Sequence, residues 1–245
     1  MDERKQFYAQ EFSPQKAIEW LKDWVDNLKF AVIIGRHTKI FPEKYKEDAL
    51  TKIIIDDYEN LEDLREQILE FLPEAVYYDR NRYSVNNRIL GQELVFDLDP
   101  ENITCPIHGS LADKMKRQQG LSFCEVELEM VKHEAIGLYA FLETRFSDLR
   151  VVYSGRGYHL HVLDTKAFTL TTKERLYLAH QTKQAGFHID EWVTSGEYHL
   201  IRLPNSLNGI VSRIALPLKS DELKSFDPVH DERCLPKFLD KEATF

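Results

Sequence analysis

The chain has 245 residues, 43% of them hydrophobic, which is enough to bury a substantial core. Its formal net charge of -9 argues against a general basic coat for nucleic acid, but not against an enzyme whose positive charge is local. No apolar run reaches the roughly 20 residues of a membrane span, and the charged start of the chain is unlike a signal peptide. Three cysteines, an odd and sparse set, favour a reducing compartment over a disulfide framework. We therefore expect an intracellular, cytoplasmic protein.

Apolar periodicity and cap residues predict alternating helices and strands. In chain order, they predict a helix over 13–30 with Ser13 as its cap and Trp24-Val25 in its apolar stripe, a strand over 30–34, a helix over 60–72 and a strand over 93–99. Residues 101–122 are polar and predict an inserted loop. A helix over 125–145, strands over 150–153 and 158–163, a helix over 172–185 and strands over 198–203 and 212–217 follow. This order predicts an α/β (α+β) fold, with one domain over 1–245.

Two carboxylates stand one residue apart in the apolar run from Leu94 to Pro100. Because alternate side chains of a strand share a face, Asp97 and Asp99 point the same way, roughly 6.6 Å apart along the backbone. Paired acids beside a buried strand repel each other unless a cation lies between them, which is the arrangement of a two-metal phosphoryl-transfer site. Such pairs also occur by chance at surface strand ends, so a purely structural interpretation stays open.

A glycine-rich turn, Ser154-Gly155-Arg156-Gly157, lies between two predicted strands. The glycines allow close approach of the backbone to an anion, and Arg156 and Ser154 would donate hydrogen bonds to phosphate oxygens. His159 and His161 follow on one face of the next strand. A plain hairpin with two hydrogen-bonded histidines is the alternative interpretation.

Asp190 and Arg202 are informative together with the motifs above. Asp190 lies between apolar neighbours at a predicted strand start and would join Asp97 and Asp99 as a metal ligand, although a lone acid after a loop is usually a cap. Arg202 lies in an apolar strand, where burial requires an anionic partner such as a triphosphate or a structural carboxylate.

The order of these motifs resembles the archaeo-eukaryotic primase superfamily, and most closely the small catalytic subunit of archaeal and eukaryotic DNA primase. The resemblance covers residues 30–231 and rests on the Asp-x-Asp strand, the Ser-Gly-x-Gly-x-His turn, the lone Asp190, the strand Arg202-Leu203-Pro204-Asn205-Ser206-Leu207 and the segment Phe226-Asp227-Pro228. It implies a primase-type catalytic core, with mixed sheets flanked by helices. It also implies that the insertion, over about 101–124, is similar to a zinc knuckle.

The resemblance further implies roles for individual residues. Asp97, Asp99 and Asp190 would hold two Mg²⁺ or Mn²⁺ ions. The nucleotide-binding residues would be Ser154, Arg156, His159 and Arg202, and Arg36-His37 falls where the family often has a basic residue near the nucleotide. The implied substrates are nucleoside triphosphates and a single-stranded DNA template. The implied partner is a large regulatory primase subunit, with which the small subunit forms a heterodimer.

Two positions depart from the family's pattern. Where the family continues Ser-Leu-His-Gly-Lys, this chain has Asn208 in place of the histidine and Ile210 in place of the lysine. One phosphate contact is thereby neutralised, and the next basic residue is Arg213. In the insertion, Cys105 and His108 have the Cys-x-x-His spacing of a tetrahedral zinc site, Cys124 is a plausible third ligand, and Glu127 stands where a fourth cysteine is expected. Two interpretations follow: the cluster binds a structural Zn²⁺, or it is a zinc knuckle that has lost its metal and whose cysteines are small hydrophobic residues.

The leading hypothesis is DNA-templated synthesis of short RNA primers, catalysed by the small subunit of a primase. A primase-polymerase or end-joining polymerase that prefers deoxynucleotides would share the same motifs. A non-catalytic nucleic-acid-binding subunit is favoured slightly by Asn208 and opposed by the intact set of acids. A glycosyltransferase with an Asp-x-Asp metal site would leave the Ser154 turn and Asp190 unexplained.

Overall fold

The computed structural model describes residues 1–21, 28–117 and 124–239. The helices in these ranges are α1 (Asp2–Gln10), α2 (Pro14–Trp20), α3 (Leu61–Phe71), α4 (Leu111–Lys116), α5 (Glu125–Leu142), α6 (Thr165–Phe168), α7 (Thr172–Gln184) and α8 (Glu191–Ser195). The strands are β1 (Phe30–Ile33), β2 (Lys52–Ile55), β3 (Ala75–Asp79), β4 (Asn81–Tyr83), β5 (Ile89–Gln92), β6 (Leu94–Leu98), β7 (Leu149–Tyr153), β8 (Tyr158–Val162), β9 (Leu200–Arg202), β10 (Leu207–Asn208), β11 (Arg213–Ile214) and β12 (Leu216–Leu218). Within the described ranges, no helix is both long and apolar enough to cross a bilayer.

Two four-stranded sheets form the centre of the fold, with strand orders β2-β1-β3-β9 and β12-β7-β8-β6. Two short hairpins, β4-β5 and β10-β11, complete the strand pairing. Every pairing between the described strands is antiparallel, so the sheets are antiparallel where the resemblance implies mixed ones. Tight turns such as the one between β7 and β8 permit only antiparallel pairing. The predicted α/β fold, with helices packed on sheets, is confirmed.

The strand β6 lies between two hydrophobic cores. Leu94, Phe96 and Leu98 pack into one core, which also contains residues of α5 and α7. Val95, on the opposite face, packs into the other core together with residues of α1, α3 and β1. Because Asp97 shares the face of Val95, β6 carries this acid toward the junction between the two sheets.

Cap residues set two helix starts where the sequence predicts them. The side chain of Asn60 accepts hydrogen bonds from the N–H groups of Glu62 and Asp63, at 2.9 and 3.2 Å, and α3 begins directly after it. Ser13 caps α2 in the same way, through the N–H of Lys16.

Two other predicted boundaries are corrected. Of the predicted helix over 13–30, the structure shows a helix that ends at Trp20, and Phe30 begins β1. Residues 22–27, with Trp24 and Val25, lie outside the described residues. The predicted loop over 101–122 contains α4, which starts from a capping box formed by Ser110 and Asp113. This Ser-x-x-Asp box is a local signal that the sequence analysis overlooked.

Candidate functional site

The three predicted acidic residues come together where β6 ends. Asp97 lies on β6, Asp99 directly follows it, and Asp190 precedes α8. The backbone N–H of Asp190 donates to the carbonyl oxygen of Asp97 at 2.9 Å, which holds the start of α8 against β6. The side chain of Asp190 accepts the N–H of Trp192 at 2.8 Å and caps α8. The predicted strand start at Asp190 is therefore wrong, because this cap makes the segment after it helical.

Burial and mutual repulsion raise the pKa values of two of these acids. Burial is the largest cause for Asp97, whose pKa lies well above its ordinary value, and the charges of Asp99, Asp190 and Glu101 raise it further. Burial and then Glu101 raise the pKa of Asp99 to about 6, against the opposing charge of Arg156. The Oδ1 atom of Asp97 is buried and has no hydrogen-bond partner among the described residues. An acidic cluster with an orphaned buried oxygen fits hard divalent cations, which prefer carboxylate oxygens.

The turn between β7 and β8 packs directly against these acids. The N–H of Ser154 donates to the carbonyl oxygen of Gly157 at 2.9 Å, and the Oγ of Ser154 accepts the N–H of Gly157 at 3.1 Å. Gly155 has a φ of 101°, a conformation that favours glycine. A Cβ at Gly157 would collide with the carbonyl oxygen of Leu98 and with Asp99. The glycines thus bring the turn into contact with the acids, as an anion-binding loop beside a metal site requires.

Arg156 extends from this turn to a carboxylate that the sequence analysis missed. Its Nη2 lies 2.5 Å from Oε2 of Glu101, and the two side chains are 7% and 22% exposed. Glu101 belongs to the short 3-10 helix that follows Asp99. The available signal was a third acid two residues beyond the Asp-x-Asp pair. Glu101 is therefore paired with the guanidinium that we predict to bind phosphate.

The two histidines of β8 have different surroundings. His159 pairs with Asp97 across β8 and β6, and its Nε2 lies 3.5 Å from Oδ1 of Asp97. Burial, followed by the charges of His161 and Arg202, lowers the pKa of His159 well below its ordinary value. His161 is fully buried, and its Nδ1 lies 2.7 Å from Oε1 of Glu93. His161 is therefore a hydrogen-bonded core histidine, whereas His159 faces the acids.

Asp97 and Asp99 line a cavity of about 210 Å³, here called the first cavity. Its other lining residues are His37, Tyr77, Glu101, Ser154, Arg156, His159, Val193, Leu200, Ile201, Arg202, Asn208 and Ile210. Arg202 is 8% exposed, and its guanidinium lies 5.2 Å from the centre of the Tyr77 ring. Its charge opposes the rise that burial causes in the pKa of Asp97. All four residues predicted to bind nucleotide thus line one cavity with two of the predicted metal ligands.

Two residues of the first cavity bear on predictions from the resemblance, Asn208 as a departure from the family's pattern and His37 as part of the predicted basic pair. Asn208 is buried and its Nδ2 donates to the carbonyl oxygen of Ser154 at 3.1 Å, so it braces the glycine-rich turn. Of the pair Arg36-His37, the histidine lines the cavity, with its Nδ1 2.6 Å from Oε1 of Glu74. The guanidinium of Arg36 donates instead to the carbonyl oxygen of Leu50.

A second cavity, of about 380 Å³, is also lined by Asp97 and includes Asp190. Its other lining residues are Ile33, Lys52, Tyr77, Val193, Glu197, Tyr198, His199 and Leu200. Asp97 therefore faces both cavities, Asp99 only the first and Asp190 only the second.

A separate cluster in the insertion brings together the four predicted zinc ligands. Ligand atoms of Cys105, His108, Cys124 and Glu127 all lie within 4.8 Å of one another. The Sγ of Cys105 also accepts hydrogen bonds from the N–H groups of Ile107 and His108, at 3.4 and 3.3 Å. Such bonds stabilise a thiolate, and two sulfurs with one imidazole and one carboxylate form a donor set that Zn²⁺ accepts. The residues present fit a zinc ion.

One buried cation in this cluster was not predicted. Lys114 of α4 is 4% exposed and forms an ion pair with Oε1 of Glu127. The other carboxylate oxygen of Glu127 is buried without a hydrogen-bond partner in the described part of the chain. One oxygen of Glu127 thus has a structural partner, and the other is available to a metal.

Comparison with known proteins connects this arrangement to a family. No protein-family model matches the chain. A protein of Archaeoglobus fulgidus named as an uncharacterized DNA primase small subunit-like protein is 48% identical over 255 residues, which cover 97% of this chain and 89% of that protein. The DNA primase small subunit PriS of Pyrobaculum calidifontis is 29% identical, with 68% of this chain and 67% of the relative covered. PriS of Pyrococcus furiosus is 30% identical over 71% of this chain, which spans only 46% of that relative.

Among solved structures, the chain is similar to the polymerase domain of Mycobacterium tuberculosis Ligase D in complex with DNA. The TM-score is 0.55, with 91% of this chain and 82% of that chain covered, and the sequences are 15% identical. This likeness shows a shared fold. The resemblance that the motifs predict is confirmed by the 48% identity along nearly the whole chain, and the chain belongs to the DNA primase small subunit-like family.

Proposed function

We propose that this protein is a two-metal nucleotidyltransferase that synthesises short RNA primers on single-stranded DNA, as the catalytic small subunit of a DNA primase. One observation carries the proposal: Asp97, which has an orphaned buried oxygen, lines one cavity with Asp99 and the glycine-rich turn and a second cavity with Asp190. Acids that repel each other and share no cation lower the stability of a fold, so their convergence here is explained best by metal binding.

In this proposal Asp97, Asp99 and Asp190 hold two Mg²⁺ or Mn²⁺ ions. When bound, such ions activate a primer 3′-hydroxyl group and neutralise a leaving pyrophosphate. The other residues of the site would bind and orient the substrates, because phosphoryl transfer depends on positioning and electrostatics.

The first cavity would bind the triphosphate of the incoming nucleotide. Ser154 and Arg156 would donate hydrogen bonds to its oxygens, and the buried charge of Arg202 would attract it. His159 is held neutral by burial and would contribute one N–H donor. A triphosphate would have to displace Glu101 from Arg156, or share the guanidinium with it.

The insertion would hold one structural Zn²⁺ through Cys105, His108, Cys124 and Glu127. The support is the proximity of their four ligand atoms and the free oxygen of Glu127. By tying the loop after Asp99 to the start of α5, the metal would stabilise the segment that leads away from the acids.

The family suggests further properties, which we include in the proposal. The PriS relatives are named as small subunits, so this chain would act with a large primase subunit in DNA replication. Its three cysteines are free, which is consistent with the reducing interior of a cell.

The test is primer synthesis and extension on single-stranded DNA with Mg²⁺ or Mn²⁺, comparing the wild type with Asp97→Asn. Ribonucleotides and deoxyribonucleotides would be supplied separately. Ribonucleotide products made without a primer, and lost in Asp97→Asn, would support the proposal. Asp57→Asn, at an exposed position, is the matched control. No product from the wild type with either metal, alone or with a large subunit, would overturn it.

One observation favours an alternative. The structural neighbour is a polymerase domain in complex with DNA, so the same fold occurs outside small primase subunits. If only deoxyribonucleotides are incorporated, and only from an existing primer, the protein is instead a primase-like polymerase. A non-catalytic role is less well supported, since Asn208, the residue that favoured it, has a structural function in bracing Ser154.

A further inference from the structure

The two cavities that Asp97 lines differ in the residues that they do not share. The first contains the cationic side chains of Arg156 and Arg202. The second combines aromatic and aliphatic side chains with Lys52, His199 and three acids, and no arginine among the described residues lines it. This division matches the two halves of a strand-extension reaction, in which one site binds a triphosphate and the other binds the nucleoside that bears the attacking hydroxyl group.

Two large aromatic side chains are exposed at the second cavity. Trp192 and Tyr198 are 53% and 58% exposed, and their ring centroids lie 6.3 Å apart with 39° between the planes. Tyr198 lines the cavity, and Trp192 lies two residues after Asp190. Exposed aromatic rings beside a catalytic centre form surfaces on which nucleic-acid bases stack.

Hydrogen bonds from a buried arginine hold the backbone that carries these rings. Arg80 is 2% exposed and donates to the carbonyl oxygens of Val193 and Tyr198, at 2.7 and 2.5 Å. In addition, the N–H of Tyr198 donates to the carbonyl oxygen of Trp192 at 3.0 Å. The rings are therefore exposed on a rigid support, which reduces the entropy lost when a base stacks on them.

We propose that the second cavity binds the 3′-terminal nucleotide of the strand being extended, with Tyr198 and Trp192 as its base-stacking platform. This proposal rests on the proposed nucleotidyl transfer, because it places the 3′-hydroxyl group beside Asp97 and Asp190. Lys52 attracts the phosphodiester behind the terminal nucleotide, and Glu197 repels it. The strand therefore approaches from the side of Lys52 on β2, and the triphosphate from the side of the glycine-rich turn.

The test measures binding directly, with short single-stranded DNA that carries 2-aminopurine at the 3′ end or at the 5′ end. Stacking on an aromatic ring quenches this base, so the wild type with Mn²⁺ should quench the 3′ probe and leave the 5′ probe bright. Tyr198→Ala should weaken binding of the 3′ probe by about tenfold or more, the loss expected for one stacked base. Trp192→Leu serves as the second variant, and Tyr198→Phe, which keeps the ring, should restore quenching. Tyr177→Ala, at an aromatic residue that is 64% exposed on α7, is the matched control.

Three results would overturn the inference: no binding by the wild type, quenching of the 5′ probe alone, or unchanged affinity in both Tyr198→Ala and Trp192→Leu. Nucleotide incorporation by the wild type, measured in parallel, separates this outcome from failure of the proposed function. Incorporation with unchanged affinity in the variants refutes the stacking platform alone. Quenching of the 3′ probe without incorporation in the presence of a large subunit refutes catalysis and leaves the binding site intact.

Discussion

Replacing Asp99 with asparagine should stabilise the metal-free protein at neutral pH. Burial and the nearby charge of Glu101 raise the pKa of Asp99 from 3.8 to about 6. A rise of about two units corresponds to about 3 kcal/mol, at about 1.4 kcal/mol for each unit. Asparagine has almost the same shape as aspartate and carries no charge, so the variant avoids this cost.

The direction of the pKa shift sets the pH range of the effect. The folded protein holds the proton of Asp99 more tightly than the unfolded chain does, so protonation contributes stability that is fully present below about pH 4. This contribution is lost as the pH rises through about 6. At pH 8, Asp99→Asn should therefore be more stable than the wild type by about 3 kcal/mol. At pH 4 most of the difference should vanish.

The assay is urea unfolding in the presence of EDTA, at pH 8 and at pH 4, with the free energy of unfolding as the measured quantity. Asp57→Asn, at an exposed position, controls for a general change of net charge. Addition of Mn²⁺ at pH 8 should stabilise the wild type more than Asp99→Asn, since a bound ligand stabilises only the state that binds it. A variant no more stable than the wild type at pH 8, or equally stabilised at both pH values, would refute the reasoning.

Three other changes have expected outcomes. Glu101→Gln removes the carboxylate that is paired with Arg156. We therefore expect a severalfold lower KM for nucleoside triphosphate in steady-state extension assays. An unchanged or higher KM would contradict the competition between Glu101 and phosphate. Gly157→Ala places a Cβ against the carbonyl oxygen of Leu98 and should cost about 1–3 kcal/mol in urea unfolding and most of the activity. Gly137→Ala, where the Cβ meets a movable side chain, is its control, and equal effects of both changes would argue against a special fit of the turn. Cys105→Ser should reduce bound zinc, measured by elemental analysis, from about one ion per chain to nearly none, whereas Cys234→Ser, outside the cluster, should retain it. Equal zinc in both variants would refute the assigned ligands.

Local patterns in the sequence determined where many elements begin and which residues share a face. The alternation of β6 places Asp97 and Asp99 on one side of the strand, and the glycines of the Ser154 turn predict a tight connection. The helix predicted over 60–72 matches α3, which begins one residue later, after the cap at Asn60. These features follow from neighbours within a few residues, which is the range over which periodicity and capping act.

The motif order also identified the family, and with it Asp190 as a partner of Asp97. What brings Asp190 there is a backbone hydrogen bond between residues 93 positions apart, from its N–H to the carbonyl oxygen of Asp97. No local pattern encodes such a contact. The strand predicted after Asp190 is wrong for a local reason, because the side chain of Asp190 caps a short helix.

The tertiary structure alone decided which charged and aromatic residues meet. The pairing of Arg156 with Glu101, the entry of Lys114 into the Cys105 cluster and the support of Tyr198 by Arg80 all join separate elements of the fold. Each depends on how helices and strands pack, because a long side chain reaches partners that are set by the packing and not by its neighbours in the chain. The sequence by itself therefore determined the family and the acids of the site. Packing determined the two cavities around them and which partners each charged group has.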